Sequence, residues 1–251
     1  MKYFEKIAQF ILVFSGLFYF IRITGHYYDK RIVLADLGGV PWLYATLGTL
    51  FAILAGFVIQ KEWENWNNLQ DSVKGEIGAL RELFLWSAHF PEAIKERFKS
   101  AISDYLRAMA LGGLWQSEQR QKSEKVEQSL SDLREGIFEI FQNHNQFMPT
   151  AFSAFSKLLE NRENRLRYSS HHAPKSIKNV MLIGVFLLSF LSLFIGIKDI
   201  YLAYVFDLSV ASMAFVIYLI IKDLDNPLLP GSWHLTAYDY QGLLEEISTG
   251  D

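Results

Sequence analysis

One stretch of this chain constrains its fold more than any other, because an apolar run continues without interruption into a polar one. The run begins at Pro41 with PWLYATLGTLFAILAGFVI and continues through QKEWENWNNLQDSVKGEIGALRELF to Phe84. The apolar part is long enough to cross a bilayer, and no Gly-Pro or Asn-Gly pair separates it from the polar part. The pattern predicts one long helix, with its first half in a membrane and its second half in water.

The apolar half of this helix carries two neighbouring stripes at about 100° per residue. Small residues recur every fourth position at Gly48, Ala52 and Gly56, a spacing that favours close packing of another helix. The second stripe is polar at both ends and apolar in the middle, which is typical of a narrow pore with a hydrophobic constriction. Its members are Thr46, Thr49, Ile53, Phe57, Gln60 and Glu64.

A simpler interpretation of the second stripe stays open. Threonine in a membrane helix often donates a hydrogen bond to its own preceding turn or touches a neighbouring helix. Gln60 and Glu64 would then be surface residues beyond the bilayer.

The apolar residues, 51% of the 251, are grouped in four blocks that predict four spans. Besides the long helix, these are Met1 to Ile23, Asn179 to Ile197 and Tyr201 to Ile221. The first block also suits a secretory signal, but no small-residue cleavage site follows it, so we interpret it as a retained span. The last two are separated by three residues and predict a tight antiparallel hairpin.

The distribution of positive charge predicts the topology. Most of the 24 Lys and Arg residues lie between Lys61 and Lys178, whereas Arg22, Lys30, Arg31 and Lys198 are left for the other side. The positive-inside rule therefore places both termini and the large loop in the cytoplasm, in a cell membrane that is the inner membrane if the source is Gram-negative. The predicted domains are spans one and two (1–60), a cytosolic domain (61–178), spans three and four (179–222) and a cytosolic tail (223–251).

The cytosolic domain shows helical periodicity throughout and no strand pattern. Four apolar stripes predict the buried faces of four helices. Their members are Trp66, Leu69, Val73, Ile77, Leu80 and Phe84; Ile94, Phe98, Ile102, Tyr105 and Met109; Val126, Leu130, Leu133, Ile137 and Phe141; and Phe152, Phe155 and Leu159.

Motifs of catalysis and metal binding are missing from the sequence. The lack of cysteine excludes disulfides and thiolate metal sites, and no nucleotide, zinc or hydrolase motif occurs. We therefore predict no enzyme activity, no metal and no cofactor. His171 and His172 are interpreted as solvated linker residues. The tract ENRENRLRYSSHHAPK is interpreted as a solvated face, and its position beside a span favours lipid headgroups over nucleic acid as a contact.

Asp207 is a carboxylate in the first half of the fourth predicted span. An ionised carboxylate in lipid costs several kcal/mol unless it faces a partner, water or a cavity. Asp207 is therefore a candidate intramembrane polar site. The alternative is that the fourth span starts later and Asp207 lies near the headgroups.

Several motifs together resemble the bestrophin-like domain family of membrane proteins, over nearly the whole chain. They are FVIQKEWENWNNLQ after the second span, Glu76 followed by Leu80 and Leu83, ENRENRLR before the third span, and DLDNPLLPGSWHL after the fourth. The distant kin of that family, the bestrophins, are oligomeric ion channels with four spans, cytoplasmic termini and a helical domain between spans two and three. Their second span lines the pore.

The resemblance implies a neck in the second span. Gly56, Phe57 and Trp66 stand at the spacing of the Gly-Phe pair that ends the bestrophin neck and of the tryptophan that follows it. Ile53 is similar to an apolar neck position, whereas Thr49 departs from the usual bulky apolar residue. Only Asp223 and Asp225 stand where calcium-responsive bestrophins carry an acidic run, so calcium gating is not implied.

The sequence thus predicts an all-α, bestrophin-like membrane protein with four transmembrane helices and a cytosolic helical bundle inserted between spans two and three. The predicted function is a passive ion channel formed by a homo-oligomer, for which the resemblance favours a pentamer. Its expected partners are membrane lipids and inorganic ions, and not nucleic acid. The alternative is a non-conducting membrane scaffold or stress sensor whose cytosolic bundle binds a partner.

Overall fold

The computed structural model describes residues 2–27, 39–110, 122–143, 148–195, 197, 199–227, 233 and 235–249. Met1, Lys30, Arg31, Lys198 and parts of the segment after the fourth span lie outside the described residues. Within them, every regular element is an α-helix. The helices are α1 (Lys2–Tyr27), α2 (Gly39–Ser87), α3 (Glu92–Ala110), α4 (Glu124–Asn143), α5 (Met148–Ser169), α6 (Lys175–Ser192), α7 (Ile200–Leu224) and α8 (Tyr238–Thr249).

The predicted long helix is confirmed as α2, which has 49 residues. Four helices are long and apolar enough to cross a membrane, and they confirm the four predicted spans. These segments are Phe4–Thr24, Pro41–Ser87, Lys175–Ser192 and Ile200–Leu224.

The predicted boundary between spans three and four is wrong. Helix α6 ends at Ser192 rather than at Ile197, because the next amides, Leu193 to Ile195, bond to carbonyls three residues back. Helix α7 begins at Ile200 behind an N-cap, where Asp199 accepts the N–H groups of Tyr201 and Leu202 at 2.9 Å each. The connection is therefore longer than a three-residue turn.

Residues 1–63 and 172–233 form one compact unit, called here the membrane unit. Its larger core packs Phe51, Ala55 and Val58 of α2 against apolar side chains of α6 and α7. The Phe51 ring lies so close to Gly184 that a Cβ atom there would clash with it, so glycine permits the close approach of α2 and α6. A second core packs α1 onto α7 through Phe14 and Phe18.

Asp225 joins the start of α6 to the end of α7 within the membrane unit. Its buried carboxylate accepts the Ala173 N–H at 2.6 Å and the Lys178 ammonium at 2.9 Å. The His172 Nδ1–H donates to the Asp225 carbonyl at 2.8 Å. The His172 side chain is 42% exposed and lies between two helices, as the interpretation as a solvated linker residue expected. Its hydrogen bond to Asp225 is an addition that the sequence did not predict.

Residues 64–171 and 234–251 form the second compact unit, the bundle unit. Its core contains most of the predicted stripe residues of α2, α3, α4 and α5 together with apolar residues of α8. Two stripe predictions are wrong: Phe141 is 51% exposed and Phe152 is 54% exposed. Both lie near the ends of α4 and α5, where with Phe138 they line an apolar groove of about 480 Å³.

A buried carboxylate, Glu76, joins four helices of the bundle unit. Its Oε1 accepts hydrogen bonds from the hydroxyls of Tyr105 on α3 (2.6 Å) and Tyr240 on α8 (2.9 Å). Its Oε2 accepts the Nε–H of Arg165 on α5 at 2.7 Å, and neither partner of this ion pair is exposed. The prediction of a solvated basic face is therefore wrong at Arg165. It is also wrong at Arg162, which is buried and pairs with Glu127 at 3.0 Å.

The electrostatics of this cluster keep its tyrosines neutral and its arginine charged. Burial and the neighbouring Glu76 carboxylate raise the pKa of both Tyr105 and Tyr240 well above the usual range. Burial alone would lower the pKa of Arg165, but Glu76 and the two tyrosines outweigh it, so that pKa also ends above its usual range. The hydroxyl protons therefore remain in place as donors to Glu76.

We expect Tyr240→Phe to make the free energy of unfolding less dependent on pH in the alkaline range. The native pKa of Tyr240 is raised, so its contribution to stability is complete below the unfolded value of about 10 and declines as the pH rises above it. Above that pH, each tyrosine with a raised native pKa adds about 1.4 kcal/mol per pH unit to the loss of stability. The measurement is the free energy of unfolding in urea between about pH 9 and pH 11.

The matched control is Tyr238→Phe on the same helix, because the Tyr238 side chain is exposed. The control should keep the wild-type dependence on pH. A Tyr240→Phe variant with the wild-type slope would contradict the assignment.

Candidate functional site

The membrane half of α2 has one packed face and one open face. The packed face is apolar apart from Tyr44. It continues along the helix with four side chains that pack against α6 and α7: Leu47, Phe51, Ala55 and Val58. The opposite face contacts neither helix. The sequence therefore folds this half of α2 as one wall of the membrane unit, with the other side left uncovered.

The residues of the predicted pore stripe all lie on the uncovered side. Thr46, Thr49, Gln60 and Glu64 are exposed, and Ile53 and Phe57 are 53% and 71% exposed. From Thr46 to Gln60 the exposed stripe lies in the membrane unit, whereas Glu64 belongs to the bundle unit. That the stripe lines a pore stays a prediction.

The two threonines make the hydrogen bond that the simpler interpretation expected. The Thr46 hydroxyl donates to the Trp42 carbonyl at 2.8 Å, and the Thr49 hydroxyl donates to the Ala45 carbonyl at 2.9 Å. The single hydroxyl proton of each is thereby used within the helix. The remaining lone pairs of each oxygen can still accept.

The small-residue stripe is only partly used within the chain. Gly48 faces Leu188 of α6, and a Cβ atom at Gly48 would lie 3.9 Å from its Cδ2. Ala52 is exposed, and a Cβ atom at Gly56 would meet nothing within 4 Å. Close packing of another helix on Ala52 and Gly56 therefore stays a prediction about a second chain.

Asp207 is buried in the second turn of α7, inside the candidate span that starts at Ile200. It is 3% exposed, and its charge acts on the Arg22 guanidinium and on the Tyr44 hydroxyl. Arg22 in turn donates from Nη2 to the Ile195 carbonyl at 3.5 Å and lies over the Phe18 ring, 5.4 Å from its centroid. The candidate polar site at Asp207 is thus a buried carboxylate whose Oδ2 has no hydrogen-bond partner among the described residues.

Sequence reasoning missed Tyr44, Ser192 and the role of Arg22 at this site. The Tyr44 hydroxyl donates to the Leu188 carbonyl at 3.1 Å, and the Ser192 hydroxyl donates to the Ser189 carbonyl at 3.0 Å. The available signal was a pair of opposite charges, Arg22 near the end of the first span and Asp207 early in the fourth. Arg22 entered the sequence analysis only as a flanking charge.

Within the described residues, no three His, Asp or Glu side chains come together as a metal site. The polar groups of the membrane unit are instead arranged in pairs and single hydrogen bonds between helices.

The fold is shared with solved bacterial proteins. A bestrophin homologue from Klebsiella pneumoniae carrying one substitution superimposes with a TM-score of 0.80 and 14% identity, covering 98% of this chain and all of that one. A second substituted form of a Klebsiella pneumoniae bestrophin homologue gives 0.77 at 13% identity, covering 97% of this chain and 96% of that one. A structure described as a membrane protein gives 0.78 at 13% identity, covering 96% and 97%. No curated protein sequence matches the chain.

The family comparison extends over most of the chain. The model of the bestrophin-like domain matches residues 8–229, a range that includes the membrane half of α2, Glu76 and Asp207. The resemblance inferred from the motifs is thereby confirmed. Together with four apolar helices of spanning length, this match shows that the chain is a membrane protein of the bestrophin-like domain family.

Proposed function

We propose that the chain forms a homo-oligomeric passive ion channel whose pore is lined by the membrane half of α2. The observation that carries the proposal is the uncovered stripe from Thr46 to Gln60, on the side of α2 opposite its packed face. Membership of the bestrophin-like domain family and the fold shared with bestrophin homologues support it.

The polarity of the stripe supports a pore rather than a lipid-facing surface. Thr49 and Gln60 carry polar groups on an exposed side of a membrane helix, where contact with hydrocarbon would be unfavourable. A ring of copies around a common axis would instead place these groups in water. The threonine oxygens, whose protons are used within the helix, would then present acceptors suited to cations.

The apolar middle of the stripe is the proposed constriction. Ile53 and Phe57 follow each other by one helical turn and project from the same uncovered side. A ring of such side chains, narrower than a hydrated ion, excludes water and makes dewetting the barrier to conduction. Glu64 follows on the same stripe, where repeated carboxylates would raise the local concentration of cations.

Assembly is supported by apolar surface that one chain leaves uncovered. Ala52 and Gly56 leave an open strip on α2 where a helix of the neighbouring copy would pack closely. In the bundle unit, Phe138, Phe141 and Phe152 are all more than half exposed. Such patches on a soluble surface mark interaction sites. A pentamer is the assembly that the family relationship favours, with the termini and the bundle unit in the cytoplasm.

The second candidate is a non-conducting scaffold, and the exposed phenylalanines of the bundle unit favour it as well. Their groove would then hold a different protein instead of a second copy. The subunit count of the purified protein separates the two, because a monomer or a simple dimer cannot form a central pore lined by α2.

Shortening the constriction tests the channel directly. We expect the Ile53→Ala, Phe57→Ala variant to conduct at least roughly tenfold more than the wild type, because a wider ring is wetted more easily. Selectivity should change little, since no charge is altered. The measurement is ion flux into liposomes at matched protein content.

The control is Leu50→Ala, Leu54→Ala, which shortens two exposed apolar side chains of the same helix outside the stripe. Its flux should stay at the wild-type level. A correctly assembled Ile53→Ala, Phe57→Ala variant that conducts no better than wild type would remove the reason to call the protein a channel.

Selectivity should respond to Glu64. Reversing the ring of charge with Glu64→Lys would repel cations, so we expect the permeability ratio to move toward anions by roughly tenfold. The measurement is the reversal potential in asymmetric salt across a planar bilayer. Glu64→Gln should give an intermediate ratio, and an unchanged ratio in both variants would place Glu64 outside the ion path.

Assembly should depend on Gly56. Replacing it with leucine would fill the open strip on α2 and push the neighbouring helix away, so we expect Gly56→Leu to lose the native oligomer in native mass spectrometry. Gly16→Leu is the matched control, because Gly16 is also a helical membrane glycine with open space around it. Retention of the wild-type subunit count by Gly56→Leu would exclude this strip as a contact.

A further inference from the structure

An apolar groove with a volume of about 300 Å³ lies between α1, α6 and α7 of the membrane unit. Phe14 and Val185 are buried and form its floor. Val13, Leu182 and Phe186 are each at least half exposed and form its rims. The groove is therefore open to the surroundings of the membrane unit and presents apolar side chains to them.

Stacked phenylalanine rings hold the walls of the groove in place. Phe10 of α1 stacks on Phe215 of α7 with ring centroids 4.3 Å apart. On α6, Phe186 stacks on Phe190 at 5.5 Å. Such aromatic pairs contribute more than the burial of their area alone. The groove is thus already formed within one chain, as binding sites for small molecules usually are.

The surroundings of the groove are hydrocarbon, because all three of its helices are long and apolar enough to cross a membrane. Among the described residues that line it, only Ser189 is polar, and the hydroxyl oxygen of Ser189 is buried. Water would find almost no partners there, and an empty space would deprive the lining of van der Waals contacts. In a bilayer, the acyl chain of a lipid supplies those contacts.

The first turns of α1 and α6 lie at the same border of the membrane. Phe10 of α1 stacks on Phe215 of α7. Further along α1, Phe18 packs edge-on against Tyr204, which lies earlier in α7, so these two helices are antiparallel. Helix α6 also runs antiparallel to α7, because only a short connection separates them. Helices α1 and α6 therefore run in the same direction along the two sides of the groove.

Each of these two helices carries an exposed lysine at that border, Lys6 on α1 and Lys175 on α6. On both helices the groove is lined by apolar residues seven and eleven positions after the lysine: Val13 and Leu17 after Lys6, and Leu182 and Phe186 after Lys175. These intervals correspond to two and three turns along one face of a helix. Each wall of the groove therefore continues along its helix to a positive charge at the membrane border.

The depth of the groove suits a lipid of one leaflet. Leu17 and Phe186 lie about 16 Å along their helices from the two lysines. The hydrocarbon core of a bilayer is about 30 Å thick, so most of the groove lies within the leaflet that borders the lysines. The topology predicted from positive charge makes this the cytoplasmic leaflet, which carries anionic lipids.

We propose that the groove binds one anionic phospholipid per chain, with an acyl chain on Phe14 and Val185 and the phosphate at Lys6 and Lys175. A lipid is favoured over a second copy of the chain because none of the described lining residues belongs to α2, the helix whose open strip is the proposed contact between copies. The site goes beyond the proposed function, since it requires no conduction.

Native mass spectrometry of the delipidated protein measures the affinity for the first lipid bound per chain. The probes are phosphatidylglycerol and phosphatidylcholine with the same acyl chains, which differ in net charge. We expect the wild type to bind phosphatidylglycerol more tightly by roughly tenfold or more, because both lysines attract its charge. Lys6→Gln, Lys175→Gln should lose that preference. Lys222→Gln, which removes an exposed lysine of α7 at the same border but outside the groove, should keep it.

Filling the groove tests the binding of the acyl chain. Val13→Trp places an indole ring at the rim, so we expect both lipids to bind more weakly by roughly tenfold. The matched control is Leu12→Trp, which adds the same ring at an exposed position of the same helix outside the groove lining. The control should bind both lipids with wild-type affinity.

Three results would overturn the proposal. Equal affinity of the wild type for the two lipids would mean that the lysines select no anionic headgroup. Wild-type affinity of Val13→Trp would mean that the acyl chain lies elsewhere. A Val13→Trp variant that loses subunits and keeps its lipid would make the groove a contact between copies. All three are measured without ion flux, so the proposed channel stands or fails separately.

Discussion

The structure depends on a helix that contributes to two cores of different chemistry. In α2, every interior amide bonds within the helix, so the backbone can pass from hydrocarbon into water without exposing an unpaired group. Up to Trp63 its residues belong to the membrane unit and from Glu64 onward to the bundle unit. Phe51 and Val58 serve the first core, and Leu69 and Leu80 serve the second. A break in this helix would remove part of the apolar core from both units.

Both units bury polar groups. In the bundle unit both oxygens of Glu76 are occupied, by two tyrosine hydroxyls and one arginine. Such a network fixes the relative placement of α2, α3, α5 and α8, since breaking one member leaves a charge in a dry interior. In the membrane unit, Asp207 is buried and its Oδ2 has no hydrogen-bond partner among the described residues.

Exposed aromatic residues mark surfaces that a single chain leaves uncovered. The periodicity of α4 and α5 predicts Phe141 and Phe152 as core residues, yet both are exposed beside Phe138 and line the groove of the bundle unit. Periodicity identifies the face of a helix that avoids water, but not the molecule that covers it. A helix face that its own chain leaves exposed has the same apolar spacing in the sequence as a face that is buried. In the membrane half of α2, Ile53 and Phe57 are likewise apolar side chains that their own chain leaves exposed.

The sequence by itself determined seven of the eight described helices, the four spans and the family, because these follow from local properties: runs of apolar residues, helical spacing and short motifs. Helix α8 lies in the segment that the sequence predicted only as a C-terminal tail. It also identified Asp207 as a carboxylate inside the fourth span, since the cost of burying a charge in lipid requires no knowledge of the neighbours. The partners of the buried polar groups were decided only by the tertiary structure. Arg165 looked like part of a solvated basic tract, yet it pairs with Glu76, which lies 89 positions away along the chain. The sequence analysis gave Tyr44 no role, yet it bonds to Leu188, which is 144 positions away. Hydrogen bonds depend on distances and angles between helices that are remote in sequence, and only the packing of those helices brings the two groups together.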